Sequence, residues 1–312
     1  MIFFYQFTSI SKLCPYESLF LNMRKIIYAL VLAGMPLFLF AQQSDKTSLP
    51  YATGQAVATI SNPLLEEISG LAFSRKHPNL IYVQTDSGGE AAVYLLDSLG
   101  NELGKLELEG VENRDWEEIA VGPGPNGQSY VYVGEIGDNL ARHDEVIVYR
   151  FPEPNRIQSG KVTVEAAILT YPKGPRDAET MMVDPLDGRI YILSKRDVQN
   201  SIYSFDQEAF RKSGETEMEA HFNLPFTMST AGDISADGSK ILIKNYQSIF
   251  YWEREEGEDL LDVLKRDPIE LPYNPEPQGE AIGFGPSGAT FYTLSEKRFS
   301  IEPVLYCYPS TR

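Results

Sequence analysis

Carboxylates in a repeating register are the feature of this sequence best suited to chemistry. Glu117, Glu179 and Glu280 each stand six residues before a proline, at the head of a short apolar run. Looser copies of the pattern place Glu67 and Asp233 at the heads of two further runs. The next apolar run ends on a second polar residue, which pairs Glu67 with Asp86, Glu117 with Glu135, Glu179 with Lys195, Asp233 with Lys244, and Glu280 with Glu296. Asp138, Asn139 and Arg142 follow in one loop, and Asp115 and Asp177 each precede their glutamate by two residues. So many carboxylates converging on one place either hold protons or recruit cations, because like charges at close range disfavour the ionised form. Lys195, Arg196 and Lys244 are placed to neutralise one side. Glu67, Asp86, Glu117, Glu135 and Glu296 have no basic partner in the pattern and are the predicted metal ligands. An all-oxygen set suits Ca²⁺ or Mg²⁺ rather than zinc. Asp138, Asn139, Arg142, Glu179, Lys195, Arg196, Asp233, Lys244 and Glu280 are the predicted ligand-binding residues. The competing reading is structural: acids at strand starts also cap backbone amides and fix the geometry between neighbouring sheets.

Other chemistries find little support. The chain has no Gly-x-Ser-x-Gly elbow, no Cys-x-x-Cys or His-x-x-x-His pair, and no phosphate-binding glycine loop. Of its three histidines, only His143, next to Arg142, is near the predicted rim. Any catalysis is therefore expected to be metal-assisted or carboxylate-based.

The elements that must position these acids repeat roughly every 50 residues, the signature of a radially repeated unit. In each of five copies an acid precedes a short apolar strand, a turn rich in Gly, Pro or Asp follows, and a strand rich in Tyr, Ile and Val comes next. Further β-like segments such as Ala92–Leu96 and Val146–Phe151 complete four-strand units. That organisation predicts an all-β fold, a single β-propeller of five blades, with six as the alternative. The last unit runs out of chain one strand short, and Gln55–Ile60 is the expected outer strand that closes the ring and removes exposed edges. Local helices are expected over 255–265 and 206–212. In a propeller the start of the innermost strand and the end of its neighbour meet at one mouth of the central channel, so the acids are predicted to gather there.

Residues 1–41 read as a removable leader: Arg24 and Lys25 precede the apolar run Ile26–Phe40, with Ala41 as a cleavage point and Met23 as an alternative start. The run is short for a membrane span and holds Pro36. Residues 42–312 are then the propeller domain, exported to the periplasm or outside the cell, without a membrane span and expected to be monomeric. Loss of the leader removes Cys14 and leaves Cys307 alone, so no internal disulfide is possible and Cys307 is expected to be a buried structural thiol. The net charge of −17, about −19 without the leader, repels phosphate backbones and disfavours nucleic acid.

Several runs resemble a family of secreted bacterial propellers of unassigned activity. They are Arg114-Asp115-Trp116-Glu117-Glu118-Ile119-Ala120, Tyr132-Val133-Gly134-Glu135-Ile136-Gly137-Asp138-Asn139, Tyr149-Arg150-Phe151-Pro152-Glu153-Pro154, Asp177-Ala178-Glu179 and Gln278-Gly279-Glu280-Ala281-Ile282. The likeness spans nearly all of the mature chain; Glu135 stands where that family has aspartate. More distantly the chain is similar to phytase-like and calcium-dependent phosphotriesterase or lactonase propellers. That similarity implies calcium held by acids at the channel mouth. Two functions follow as expectations: a binding propeller for a small molecule, glycan or protein at an acidic, calcium-loaded mouth, or a metal-dependent hydrolase of phosphoesters or lactones.

Overall fold

A computed structural model describes residues 48–312, so the leader lies outside the described residues. The chain opens with β1 (Gln55–Thr59). Blade 1 is β2 (Ile68–Phe73), β3 (Leu80–Thr85), β4 (Ala92–Asp97) and β5 (Glu102–Leu108). Blade 2 is β6 (Trp116–Pro123), β7 (Ser129–Glu135), β8 (Val146–Pro152) and, beyond the short β9 (Gly160–Val162), β10 (Glu165–Thr170). Blade 3 is β11 (Ala178–Val183), β12 (Ile190–Ser194), β13 (Ser201–Phe205) and, after β14 (Thr216–Glu217), β15 (Glu219–Asn223). Blade 4 is β16 (Ser229–Ile234), β17 (Lys240–Asn245), β18 (Ile249–Glu253) and β19 (Ile269–Leu271). Blade 5 is β20 (Gly279–Phe284), β21 (Thr290–Ser295) and β22 (Val304–Pro309).

These strands form five sheets, one per blade, making a five-bladed propeller. β1 pairs antiparallel with β22 and is the fourth, outer strand of blade 5. β9 and β14 add in parallel to the outer edges of blades 1 and 2. An edge with unpaired amides invites association, and these short strands cover it. A helix, α1 (Leu260–Leu264), is capped by Asp259, which accepts from the Leu261 amide, and Gln207–Arg211 forms a 3-10 turn capped by Asp206. Both are shorter than the predicted spans, because only the residues that bury against the blade, such as Leu260 and Phe210, are held. Among the described residues no helix is long and apolar enough to cross a membrane.

The core lies between blades rather than within one sheet. Each blade-to-blade interface has its own apolar cluster: blades 1 and 2 pack through Trp116, Val131 and Leu95, and blades 5 and 1 through Leu294, Ala281 and Leu71. Burial of each such side chain contributes about 1.5–3 kcal/mol, so every interface is a substantial part of the stability. Trp116 and Trp252 are both core residues. Cys307 is half-buried rather than buried, because β22 is next to the outermost strand of its blade.

Candidate functional site

The innermost strands share one irregularity. In every blade the register with the second strand skips a single residue, and the skipped residues are Ser69, Glu117, Glu179, Thr230 and Glu280. A bulge of this kind leaves one residue unpaired and re-aims its side chain. The register shows why the looser copies misled the sequence reading. Ser69 and Thr230, not Glu67 and Asp233, are the counterparts of Glu117, Glu179 and Glu280. Counting six residues back from the inter-strand turn, as the three prolines allow, would have found them.

Around Glu117 the chain builds a dense acidic group. Carboxylate oxygens of Asp86, Asp115 and Glu117 all lie within 4.8 Å of one another. Asp86 follows β3, and the other two sit at the entry to β6. Asn113 clamps the two segments: its amide donates to the carbonyls of Thr85 (3.0 Å) and Asp86 (2.9 Å), and its Oδ1 accepts from the Trp116 amide (3.1 Å). Gly137 leaves room for the carboxylates, since a Cβ there would collide with Glu117 Oε1 and come within 2.6 Å of Asp115. Burial pushes the Asp115 carboxyl up to about 7, with Asp86 adding to the rise. Asp86 and Glu117 are raised too, chiefly by burial; neighbouring acids add to the rise at Glu117, the Ser87 amide opposes it at Asp86, and Lys195 opposes it at both.

On the other side of the mouth the acids are paired. The Lys195 ammonium forms an ion pair with Glu179 and lies 3.7 Å from Glu280. Tyr246 donates its hydroxyl to Glu280, and its ring centre lies 5.2 Å from Lys195 Nζ. Glu296 lies against Glu280; burial first, and then Glu280, push its carboxyl up to about 9. Arg298 approaches Glu296 to 3.0 Å, yet both Glu296 oxygens and Glu179 Oε2 lack a hydrogen-bond partner while buried. The arginine is close enough for charge attraction but not aligned for a hydrogen bond. Arg196 pairs with Asp177 (2.5 Å) and donates to Asn139, while Asp138 donates its amide to Asp177 Oδ1 (3.0 Å) and accepts from the His143 amide (2.7 Å). Arg142 and His143 are exposed beside this network.

Four predicted residues are elsewhere. Glu67 lies on a groove of about 630 Å³ with Pro63, Glu66, Glu90 and Lys297, outside the carboxylate trio, and its carbonyl accepts from the Asp86 amide (2.8 Å). Glu135 pairs across to Trp116 and turns to Arg114, 3.5 Å away, because alternation on β7 aims it away from the channel. Lys244 is fully buried between blades 4 and 5, where it donates to the Gly279 carbonyl under Tyr273; burial lowers it to about 8. Its neighbour Glu276 is raised by burial to about 7. Asp233 accepts from the amides of Ile234 (2.8 Å) and Phe284 (2.7 Å), each four residues along its strand from the mouth-side bulge. There it caps backbone as the structural alternative expected, and burial raises it to about 6.

Two further groups cross the channel below the mouth. Glu118, fully buried, accepts from the amides of Ile119 and Gly232 (both 3.1 Å), tying blade 2 to blade 4. Toward the opposite end, the Arg75 guanidinium donates to the carbonyls of Ile234 (3.1 Å) and Val121 (3.5 Å). The sequence reading missed Asn113, Glu118 as a channel pin, and Tyr246; Tyr246 occupies in blade 4 the place held by Lys195 in blade 3 and Glu296 in blade 5.

No protein-family model and no curated protein matches the chain. Among solved structures it is similar to the PQQ-bound form of an aldose sugar dehydrogenase from Streptomyces coelicolor, at 12% identity over 83% of this chain and 99% of that one, with a TM-score of 0.45. The luciferin-regenerating enzyme is 11% identical over 79% of this chain and 92% of that one, with a TM-score of 0.47. Hydrazine synthase of Kuenenia stuttgartiensis is 9% identical over 80% and 97%, with a TM-score of 0.43. At this distance no substrate or cofactor carries over, and the chemistry of this chain rests on its own residues.

Proposed function

We propose that this protein is an exported binding propeller whose channel mouth holds one Ca²⁺ on Asp86, Asp115 and Glu117 and presents it to a ligand. The observation that carries this reading is the trio itself: three carboxylates within 4.8 Å and no ion pair to any of them. A hard cation relieves that repulsion, and oxygen ligands of this kind are what calcium prefers. Calcium takes six to eight oxygens, more than three carboxylates fill when held one oxygen each, so positions remain for water or for a ligand's oxygens. Those open positions also support a second reading, metal-dependent hydrolysis of a phosphoester or lactone by an ion-activated water.

Calcium titration followed by calorimetry tests the reading. Binding of one ion by the wild type, lost in Glu117→Gln, is the expected result; no binding at millimolar calcium overturns it. Turnover of generic phosphoesters or lactones by the calcium-loaded protein, abolished by the same substitution, would establish the hydrolase instead of the binding module.

A further inference from the structure

We propose that Lys195 is a resident cation: its ammonium fills one of two cation positions in the mouth, so that the protein takes a single divalent ion, off the channel axis over blades 1 and 2. This rests on the calcium reading and determines its stoichiometry and place.

The repeat puts three acids in the bulge register, Glu117, Glu179 and Glu280. Around Glu117 the nearest side chains add more carboxylate, Asp86 and Asp115, and Lys195 is the cation whose charge opposes them without an ion pair. Between Glu179 and Glu280 that lysine supplies an ammonium, held by both acids and backed by the Tyr246 ring. Acidic oxygens on two sides and an aromatic face on a third are a full cation environment. The lysine is preorganised there: its amide donates to Asp177 O (2.8 Å), its carbonyl accepts from the Met228 amide (3.0 Å) and Asn200 Nδ2 (2.8 Å), and the residue is 3% exposed.

The lysine does not use all the oxygen around it. Glu179 Oε2 and both oxygens of Glu296 are buried without a hydrogen-bond partner, in residues 4% and 1% exposed, with Arg298 as the charge that approaches Glu296 at 3.0 Å. Unpartnered buried carboxylate oxygens are rare because each loses its hydration without replacement. Beside an ammonium that can be subtracted, they are the remaining ligands of a latent cation site. Among the described residues only Asp86, Asp115 and Glu117 bring three carboxylate oxygens within 4.8 Å of one another, so Glu179, Glu280 and Glu296 would have to draw together to hold a second calcium once the lysine is gone.

The test is the number of ions per chain, measured by equilibrium dialysis with Ca²⁺ and by Tb³⁺ luminescence. Trp116 lies between Asp115 and Glu117 to sensitise the first position, and Tyr246 the second. One ion on the wild type, one on Lys195→Arg and two on Lys195→Gln is the expected result, with Lys195→Gln/Glu280→Gln returning to one. Two ions on the wild type, or one on a folded Lys195→Gln, overturns the proposal. If Lys195→Gln folds only with calcium and then holds two ions, the ion has replaced the ammonium as proposed; failure to fold even at millimolar calcium refutes that replacement. No ion on the wild type but one on Lys195→Gln would reject the calcium reading while keeping the lysine's role, and none on either rejects both.

Discussion

The two halves of the mouth start from the same bulged strand and the same glutamate, and end in opposite electrostatic states. Over blades 1 and 2, Glu117 meets Asp86 and Asp115, and the charge is relieved by protons or by an ion from solution. Over blades 3 to 5, Glu179 and Glu280 meet Lys195 and Tyr246, and their charge is relieved from within, while Glu296 beside them is pushed up to about 9. Backbone geometry is common to both, so the difference lies in one position, the residue just after the second strand: Asp86 in blade 1, Lys195 in blade 3. A fold can thus keep one scaffold and vary the charge of a site blade by blade.

The comparison breaks first at Lys195. Without calcium, Lys195→Gln leaves Glu179 and Glu280 buried and unpaired, and should lose about 3–5 kcal/mol in chemical denaturation; a loss under 1 kcal/mol would mean the two halves do not differ. Next, a calcium site of micromolar affinity at millimolar calcium should stabilise the wild type by about 4 kcal/mol, a rise on the order of 10 °C in the melting temperature. The open half predicts this gain and the closed half does not contribute to it. Asp115→Asn should erase the calcium gain while raising metal-free stability by roughly 1–2 kcal/mol, since it removes a charge from the repelling trio. Loss of stability in EDTA would show that the trio is internally compensated.

Acidity sharpens the contrast further. In the metal-free fold Asp115 sits at about 7 against 3.8, and Glu296 at about 9 against 4.5. The folded state therefore holds protons that the unfolded chain has already released, and its stability falls as pH rises. The loss should begin near pH 4, level off for Asp115 above about 7, and continue for Glu296 to about 9. Lys244, lowered to about 8, adds the opposite slope only above that pH. Melting in EDTA across this range checks the sign, and calcium should flatten the part due to the trio. The smallest effect belongs to Glu67→Gln, which should change stability by under about 0.5 kcal/mol and leave calcium binding unaltered.

Five of the acids and the main basic partner could be read from the chain because they share its period. Glu117, Glu179 and Glu280 are each counted from a proline, and Asp86, Glu296 and Lys195 each close a run of β-branched and aromatic residues. Glu135 and Lys244 end similar runs, but Glu135 stands one residue before the place of Asp86 and Lys195, and Lys244 two before it. A shift of one residue reverses the face of a strand side chain and turns Glu135 to Arg114, while Lys244 lies too far down its strand and reaches the interface of blades 4 and 5.

Local pattern alone determined the all-β class, the repeat, and the recurrence of acids at the heads of the innermost strands, because strand periodicity and turn residues act over a few positions. The tertiary structure decided which acids face one another, that Asn113 brings Asp86 to Asp115, and that Lys195 serves two blades at once. Those facts depend on how distant blades are rotated about a common axis. Contacts between residues as far apart as Lys195 and Glu280 exist only once the ring has assembled.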